Sequence, residues 1–142
     1  MSEHHGSSDA LTLLGASRMD YPTTPDDCDL QTIPWSQPVR GAAPGTVVEL
    51  DCPEFTAVCP KTGQPDFGHI RIKYAPQDKL IESKALKLYL FAFRNTGHFH
   101  ETVIQRIAED LFTALEPKWI EVAGEFMPRG GIRINPKCRL AT

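Results

Sequence analysis

Apolar residues recur along this chain with two different periods. In His69-Ile-Arg-Ile-Lys-Tyr74 they alternate with polar ones, the period of a half-buried strand. Pro76 ends that run. Thr46 to Cys52 has the β-branched composition of another strand. Between Glu82 and Arg94 the period changes: Leu86, Leu90 and Phe93 lie at helical spacing, and Asn95-Thr-Gly97 breaks the run. A second helix is predicted from Phe99 to Leu115, with Val103, Ile104, Ile107, Leu111 and Leu115 as its apolar stripe and Pro117 beyond its end. Trp119 to Phe126 returns to the strand period, and Arg129-Gly-Gly131 turns the chain into a fourth strand starting at Ile132-Arg-Ile134. The predicted order is strand, strand, helix, helix, strand, strand. That order suits an α+β layer with an antiparallel sheet and both helices on one face. Such a small sheet leaves two edges that must be covered or paired, and pairing between subunits into a closed barrel is one solution.

Residues 1–44 break this patterning. They are rich in Ser, Asp, Gly and Pro, carry His4 and His5, and show no sustained period around Leu11, Leu13, Leu14 and Trp35. They read as an arm, disordered at its start, then extended and packed on the domain or on a neighbouring subunit. Residues 45–142 read as one domain.

Composition narrows the class. A chain of 142 residues with 41% hydrophobic content can bury a real core. A net charge of -3 argues against a nucleic-acid-binding tail or a basic membrane patch. No run approaches the roughly 20 apolar residues of a membrane span, and the N-terminus lacks the pattern of a secretory leader. The expectation is a cytosolic protein whose four cysteines, Cys28, Cys52, Cys59 and Cys138, stay reduced.

One of the four stands in a loop-like context. In Phe55-Thr-Ala-Val-Cys59-Pro-Lys-Thr-Gly-Gln-Pro-Asp66 the turn residues Pro60, Gly63 and Pro65 let the chain double back and carry Asp66 towards the thiol. Free cysteines are mostly small buried hydrophobes, but this setting favours an exposed thiol with Lys61 near enough to favour the thiolate. Thiolates attack electron-poor carbons, and a positioned acid such as Asp66 can quench the charge that develops. Asp66 otherwise reads as a solvated turn carboxylate.

Three further clusters carry weaker signals. Glu82, Ser83, Lys84 and Lys87 begin the first helix, where Glu82 suits the helix N-terminus. Lys84 and Lys87 share a face and repel unless an anion lies between them. His100 and Glu101 begin the second helix, a common place for ligand sites and equally for capping. His98, His100 and Cys59 allow a zinc reading, although no paired CxxC or HExxH supports it. Arg129-Gly-Gly131 is either a plain turn or an arginine for a phosphate. No GxGxxG or Walker sequence is present.

Taken together, the Phe55–Asp66 segment, Glu82-Ser-Lys-Ala-Leu-Lys-Leu-Tyr89, Phe99-His-Glu101 and Pro128-Arg-Gly-Gly131 resemble the short, single-module QueF-type nitrile reductases, the NADPH-dependent 7-cyano-7-deazaguanine reductases. The resemblance covers roughly residues 46–138 and leaves the arm, with Cys28 and Trp35, without a counterpart. It implies the tunnelling fold (T-fold), whose strand-strand-helix-helix-strand-strand subunits close into a barrel. It implies homo-oligomers, typically two stacked rings of five, with active sites between subunits. The implied reaction takes a nitrile to a primary amine with NADPH, on the way to the tRNA base queuosine. The implied roles are Cys59 as nucleophile forming a thioimide and Asp66 as proton donor. Ile81, Glu82, Ser83, His100 and Glu101 would meet the substrate, and Lys84, Lys87 and Arg129 the cofactor phosphates. A zinc-dependent cyclohydrolase-like relative of the same fold and a non-catalytic purine-binding oligomer stand as alternatives.

Overall fold

The computed structural model describes residues 20–36, 40–41 and 45–142. Leu11, Leu13, Leu14, His4 and His5 lie outside the described residues.

Strand β1 is Thr32–Pro34, β2 is Val48–Val58, β3 is Pro65–Ala75 and β4 is Lys79–Ile81. Helices α1, Ser83–Phe91, and α2, His100–Leu115, follow, then β5, Trp119–Phe126, and β6, Lys137–Ala141. An antiparallel four-stranded sheet runs β2-β3-β5-β6, and β1 pairs with β4 in a separate antiparallel ribbon. The architecture is α+β. Both helices lie on one face of the sheet, because the pleat sorts side chains by parity. Ile70, Ile72, Tyr74, Ile120, Val122 and Phe126 point into the core, where Val103, Ile104, Ile107, Leu111 and Leu115 of α2 meet them. The other face carries ion pairs such as Arg71–Glu125 at 2.7 Å and Arg139–Glu121 at 3.2 Å.

Several elements depart from the predicted bounds. The first strand runs on to Val58, past a bulge between Cys52 and Phe55 that puts Phe55 and Ala57 on the core side. Pro53, which lacks an N–H, sits in that bulge, the position a strand tolerates. The fourth strand does not begin at Ile132. Ile132 pairs only with Arg129, and Ile132 and Ile134 are exposed. Pro136 cannot donate to a ladder, so regular pairing starts at Lys137 and turns Cys138 and Leu140 towards the core. The β1–β4 ribbon, three residues a side, is too short to show a period.

Part of the arm is ordered against the domain. The Glu82 N–H donates to the Gln31 carbonyl at 3.0 Å and the Trp35 N–H to Asp78 at 2.8 Å. Arg106 on α2 pairs with Asp26 and with Asp110.

Gly124 and Gly68 decide how the sheet meets α2. A Cβ on Gly124 would stand 2.7 Å from Ile104 Cδ1 and 2.7 Å from the Phe126 ring. One on Gly68 would meet the same ring at 2.7 Å. Two glycines thus leave the slot in which Phe126 lies flat, and a larger residue in such a packed place costs about 1–3 kcal/mol.

Candidate active site

The site grows from the β2–β3 hairpin. Cross-strand pairing places Ala57 opposite Asp66 and Val58 opposite Pro65. Cys59 to Gln64 form the connection, closed by Cys59 N–H to Gln64 O at 2.8 Å and Gly63 N–H to Cys59 O at 2.9 Å. The hairpin brings Cys59 and Asp66 to one end of the sheet. The segment between the helices docks on the same end: Val58 N–H donates to Thr96 O and His98 N–H to Val58 O, both at 3.3 Å.

Cys59 is half-buried. Its thiol is lowered from 9.0 to about 6. Hydrogen bonding from the Thr62 side chain is the largest cause, followed by the Arg129 guanidinium and the backbone groups of Thr62 and Lys61, against a small opposing effect of burial. Donors that favour the charged form lower an acid's affinity for its proton, so Cys59 is mostly thiolate at neutral pH. The Lys61 contribution is its backbone, not the ammonium that sequence proximity suggested. The other three cysteines are shifted the opposite way, chiefly by burial.

Asp66 is only 5% exposed. The Arg129 Nη2 donates to its Oδ1, and its Oδ2 lies 3.5 Å from His100 Nε2. His100, the first residue of α2, is buried and stacks on Phe126 with ring centroids 3.9 Å apart and planes 13° apart. Its Nδ1 finds no partner among the described residues. Glu101 follows His100 and is exposed at the same end.

The remaining predicted residues lie elsewhere. Glu82 is buried and caps α1, with Oε1 accepting from Lys84 N–H at 2.9 Å and Oε2 from Ala85 N–H at 2.8 Å. Ile81 is tied to the far end of β3, where its N–H donates to the Tyr74 hydroxyl at 3.1 Å. Tyr74 is eight residues along β3 from Asp66, roughly 25 Å at about 3.3 Å per residue. A single chain therefore keeps Ile81, Glu82 and Ser83 apart from Cys59.

A cleft of about 560 Å³ runs between α1 and β2. Leu50, Leu86, Leu90 and Phe91 line it, with Ser83 and Lys87 along the helix, Arg94 in the turn beyond its end, and Asp51 and Glu54 on the strand. Arg94 stacks over Phe91 at 4.6 Å. Lys87 has no ion pair among the described residues. Lys84, in the first turn of α1, is half-buried. Of the three cations Lys84, Lys87 and Arg129, only Lys87 lines this cleft. Among the described residues no three His, Cys, Asp or Glu side chains cluster as a metal site, and no helix is long and apolar enough to cross a membrane.

Sequence reasoning missed two participants. Thr62 is the largest cause of the lowered Cys59 pKa, and its place in the connection three residues after Cys59 was the available signal. Phe126 had none beyond its place on the core face of β5, since its role depends on Gly68 and Gly124 leaving room for its ring.

A family model described as QueF-like protein matches residues 65–142. The chain is 54% identical over 111 residues to the NADPH-dependent 7-cyano-7-deazaguanine reductase of Anaeromyxobacter sp. (strain K), covering 78% of this chain and 87% of that relative. It is 46% identical over 136 residues to the protein of the same name from Neisseria meningitidis serogroup B (strain ATCC BAA-335 / MC58). That match covers 96% of this chain and 84% of the relative, and so reaches well into the N-terminal segment. Among solved structures, the archaeosine synthase QueF-Like in the apo form superposes with a TM-score of 0.62 at 18% identity, over 66% of this chain and 91% of that one. The last likeness is one of fold.

Proposed function

The chain belongs to the QueF-like family, and on that premise we propose that it is an oxidoreductase reducing the nitrile of 7-cyano-7-deazaguanine to the primary amine with NADPH. The observation that carries this reading is the pairing of a thiolate with a buried carboxylate on one short hairpin. A nitrile carbon is electron-poor, and its nitrogen needs a proton as soon as the carbon is attacked. Cys59 Sγ forms a bond to that carbon, one C–N π pair moves to nitrogen, and the proton released when the thiol ionised, delivered through Asp66, neutralises it, leaving a covalent thioimide. His100 holds Asp66 from behind. Glu101 offers a carboxylate to the adjacent N–H groups of the guanine-like ring.

When bound, NADPH supplies hydride, and the four electrons between nitrile and amine require two equivalents. The cleft between α1 and β2 suits such a ligand. Its apolar floor accepts flat rings, and Lys87 with Ser83 and the nearby Lys84 offers cations and a hydroxyl to phosphates.

The separation of Glu82 and Ser83 from Cys59 supports a site shared between subunits, in which one copy's α1 N-terminus meets another's hairpin. The exposed edges of β2 and β6 are suited to closing the T-fold barrel between copies. The assembly proposed is a homo-oligomer of two stacked five-membered rings, acting in queuosine biosynthesis in the cytoplasm.

The test is intact-protein mass spectrometry after incubation with the nitrile and no NADPH. The wild type should gain the mass of one substrate on Cys59, and the Cys59→Ala variant should gain none. Adduct on the alanine variant, or none on the wild type, would remove Cys59 from this role.

A further inference from the structure

The first residue of α2 meets the sheet through a stacked pair of rings. His100 is 8% exposed, and its imidazole lies on the Phe126 ring with centroids 3.9 Å apart and planes 13° apart. A buried histidine is ordinarily oriented by hydrogen bonds at its ring nitrogens. Here Nδ1 is buried and finds no partner among the described residues. Nε2 stands 3.5 Å from Asp66 Oδ2, longer than a hydrogen bond of ordinary length. The plane of the imidazole is therefore fixed by the face it lies on.

The sheet is built to present that face. Phe126 pairs across the ladder with Gly68, and Gly124 stands two residues earlier on the same side of β5. With no side chain at either place, the ring has room to lie down. A Cβ on Gly124 would stand 2.7 Å from its Cε2, and one on Gly68 2.7 Å from its Cδ1. Phe55 closes a further side edge-on, with centroids 6.3 Å apart and planes at 81°. Asp66 precedes Gly68 by two residues on β3, and both are buried on the same face. The imidazole seated on Phe126 thus stands diagonally across the ladder from the Asp66 carboxylate.

We infer that Phe126 is a positioning residue for proton delivery: its ring fixes the plane of the His100 imidazole and, through Nε2, the place of the Asp66 carboxylate. This rests on the reading of Asp66 as the group that delivers the proton. Hydrogen bonds at reacting groups are commonly long before substrate binds and tighten with it. A ring held in plane lets the gap of 3.5 Å close by a small shift, whereas a ring free to tilt lets it open. Misplacement of such a group by about 1 Å can cost about 10²-fold in rate.

The experiment is a double-mutant cycle read in kcat and KM, with Phe126→Leu, His100→Leu and the pair. Leucine fills apolar volume and has no flat face. Phe126→Leu alone should lower kcat for nitrile reduction about tenfold or more, with KM for the nitrile changed less than about threefold. In the His100→Leu background the same change should lower kcat less than about twofold, because no imidazole is left to position. Lost packing alone would strike both backgrounds equally, and equal losses overturn the inference. An unchanged kcat in Phe126→Leu does the same. If Phe126→Leu does not fold, Gly124→Ala keeps the ring but displaces it, and should reproduce the loss and the cycle. A second readout needs neither nitrile nor NADPH. Modification of His100 by diethyl pyrocarbonate, scored by peptide fragmentation against His69 and His98, should quicken about fivefold in Phe126→Leu, the worth of a stacked ring pair. An unchanged rate overturns the inference. A protein that shows this rise yet reduces no nitrile would disprove the proposed function and leave the stack as what holds His100.

Discussion

Cys59 and Asp66 are ordinary residues given unusual neighbours. The thiol becomes a thiolate near neutral pH because Thr62, Arg129 and two backbone groups all favour the anion. The sign follows from acid–base balance: below about pH 6 the sulfur is protonated and the proposed attack slows, and above it the thiolate predominates. In the proposed mechanism Asp66 has the complementary task of delivering a proton. Replacing it with Asn keeps the shape and removes the carboxyl group that would relay the proton. We expect Asp66→Asn to lose about 10²–10⁴-fold in kcat for nitrile reduction, while Cys59 still alkylates. A steady-state assay beside an alkylation assay checks this, and wild-type kcat in the Asn variant would contradict the role. The closeness of these two residues is legible in Pro60, Gly63 and Pro65, since turn residues constrain the backbone locally. The Arg129 contact is not legible, because a separation of 63 residues carries no local signal. Its glycines mark a turn, but what the turn aims at is a tertiary fact.

The elements show the same division. Helix α2 matches its apolar stripe within a residue, since that face is buried along its whole length. Strand β5 alternates strictly between buried and half-buried for the same reason. The failures lie where packing overrides period. Strand β2 continues through Pro53 because a bulge absorbs the missing donor, and β6 starts late because Pro136 interrupts the ladder. The ribbon of β1 with β4 depends on an arm whose composition suggests little order. That ribbon nonetheless fixes the backbone entering α1, where Gln31 accepts from Glu82. Glu82 illustrates how one side chain can have two readings. Both its oxygens cap its own helix, yet each retains a second acceptor site for a substrate N–H. Cap loss alone accounts for about 1 kcal/mol of stability.

At the scale of the whole molecule, the two halves of the proposed site lie at opposite ends of one chain, which sequence order alone could not reveal. If copies share sites, an inactive Cys59→Ala subunit and an inactive Glu82→Gln subunit should complement each other. Co-expressed in one oligomer they should recover partial activity, each intact site taking its hairpin from one variant and its α1 N-terminus from the other. Mixed oligomers as dead as either parent would place both halves in one subunit. The central claim is the reaction itself, and its most direct measurement is NADPH oxidation against amine formed when 7-cyano-7-deazaguanine is added, with Cys59→Ala alongside. The account predicts two NADPH consumed per amine produced, and none by the folded Cys59→Ala variant. A folded wild-type protein that consumes no NADPH with this nitrile would contradict it.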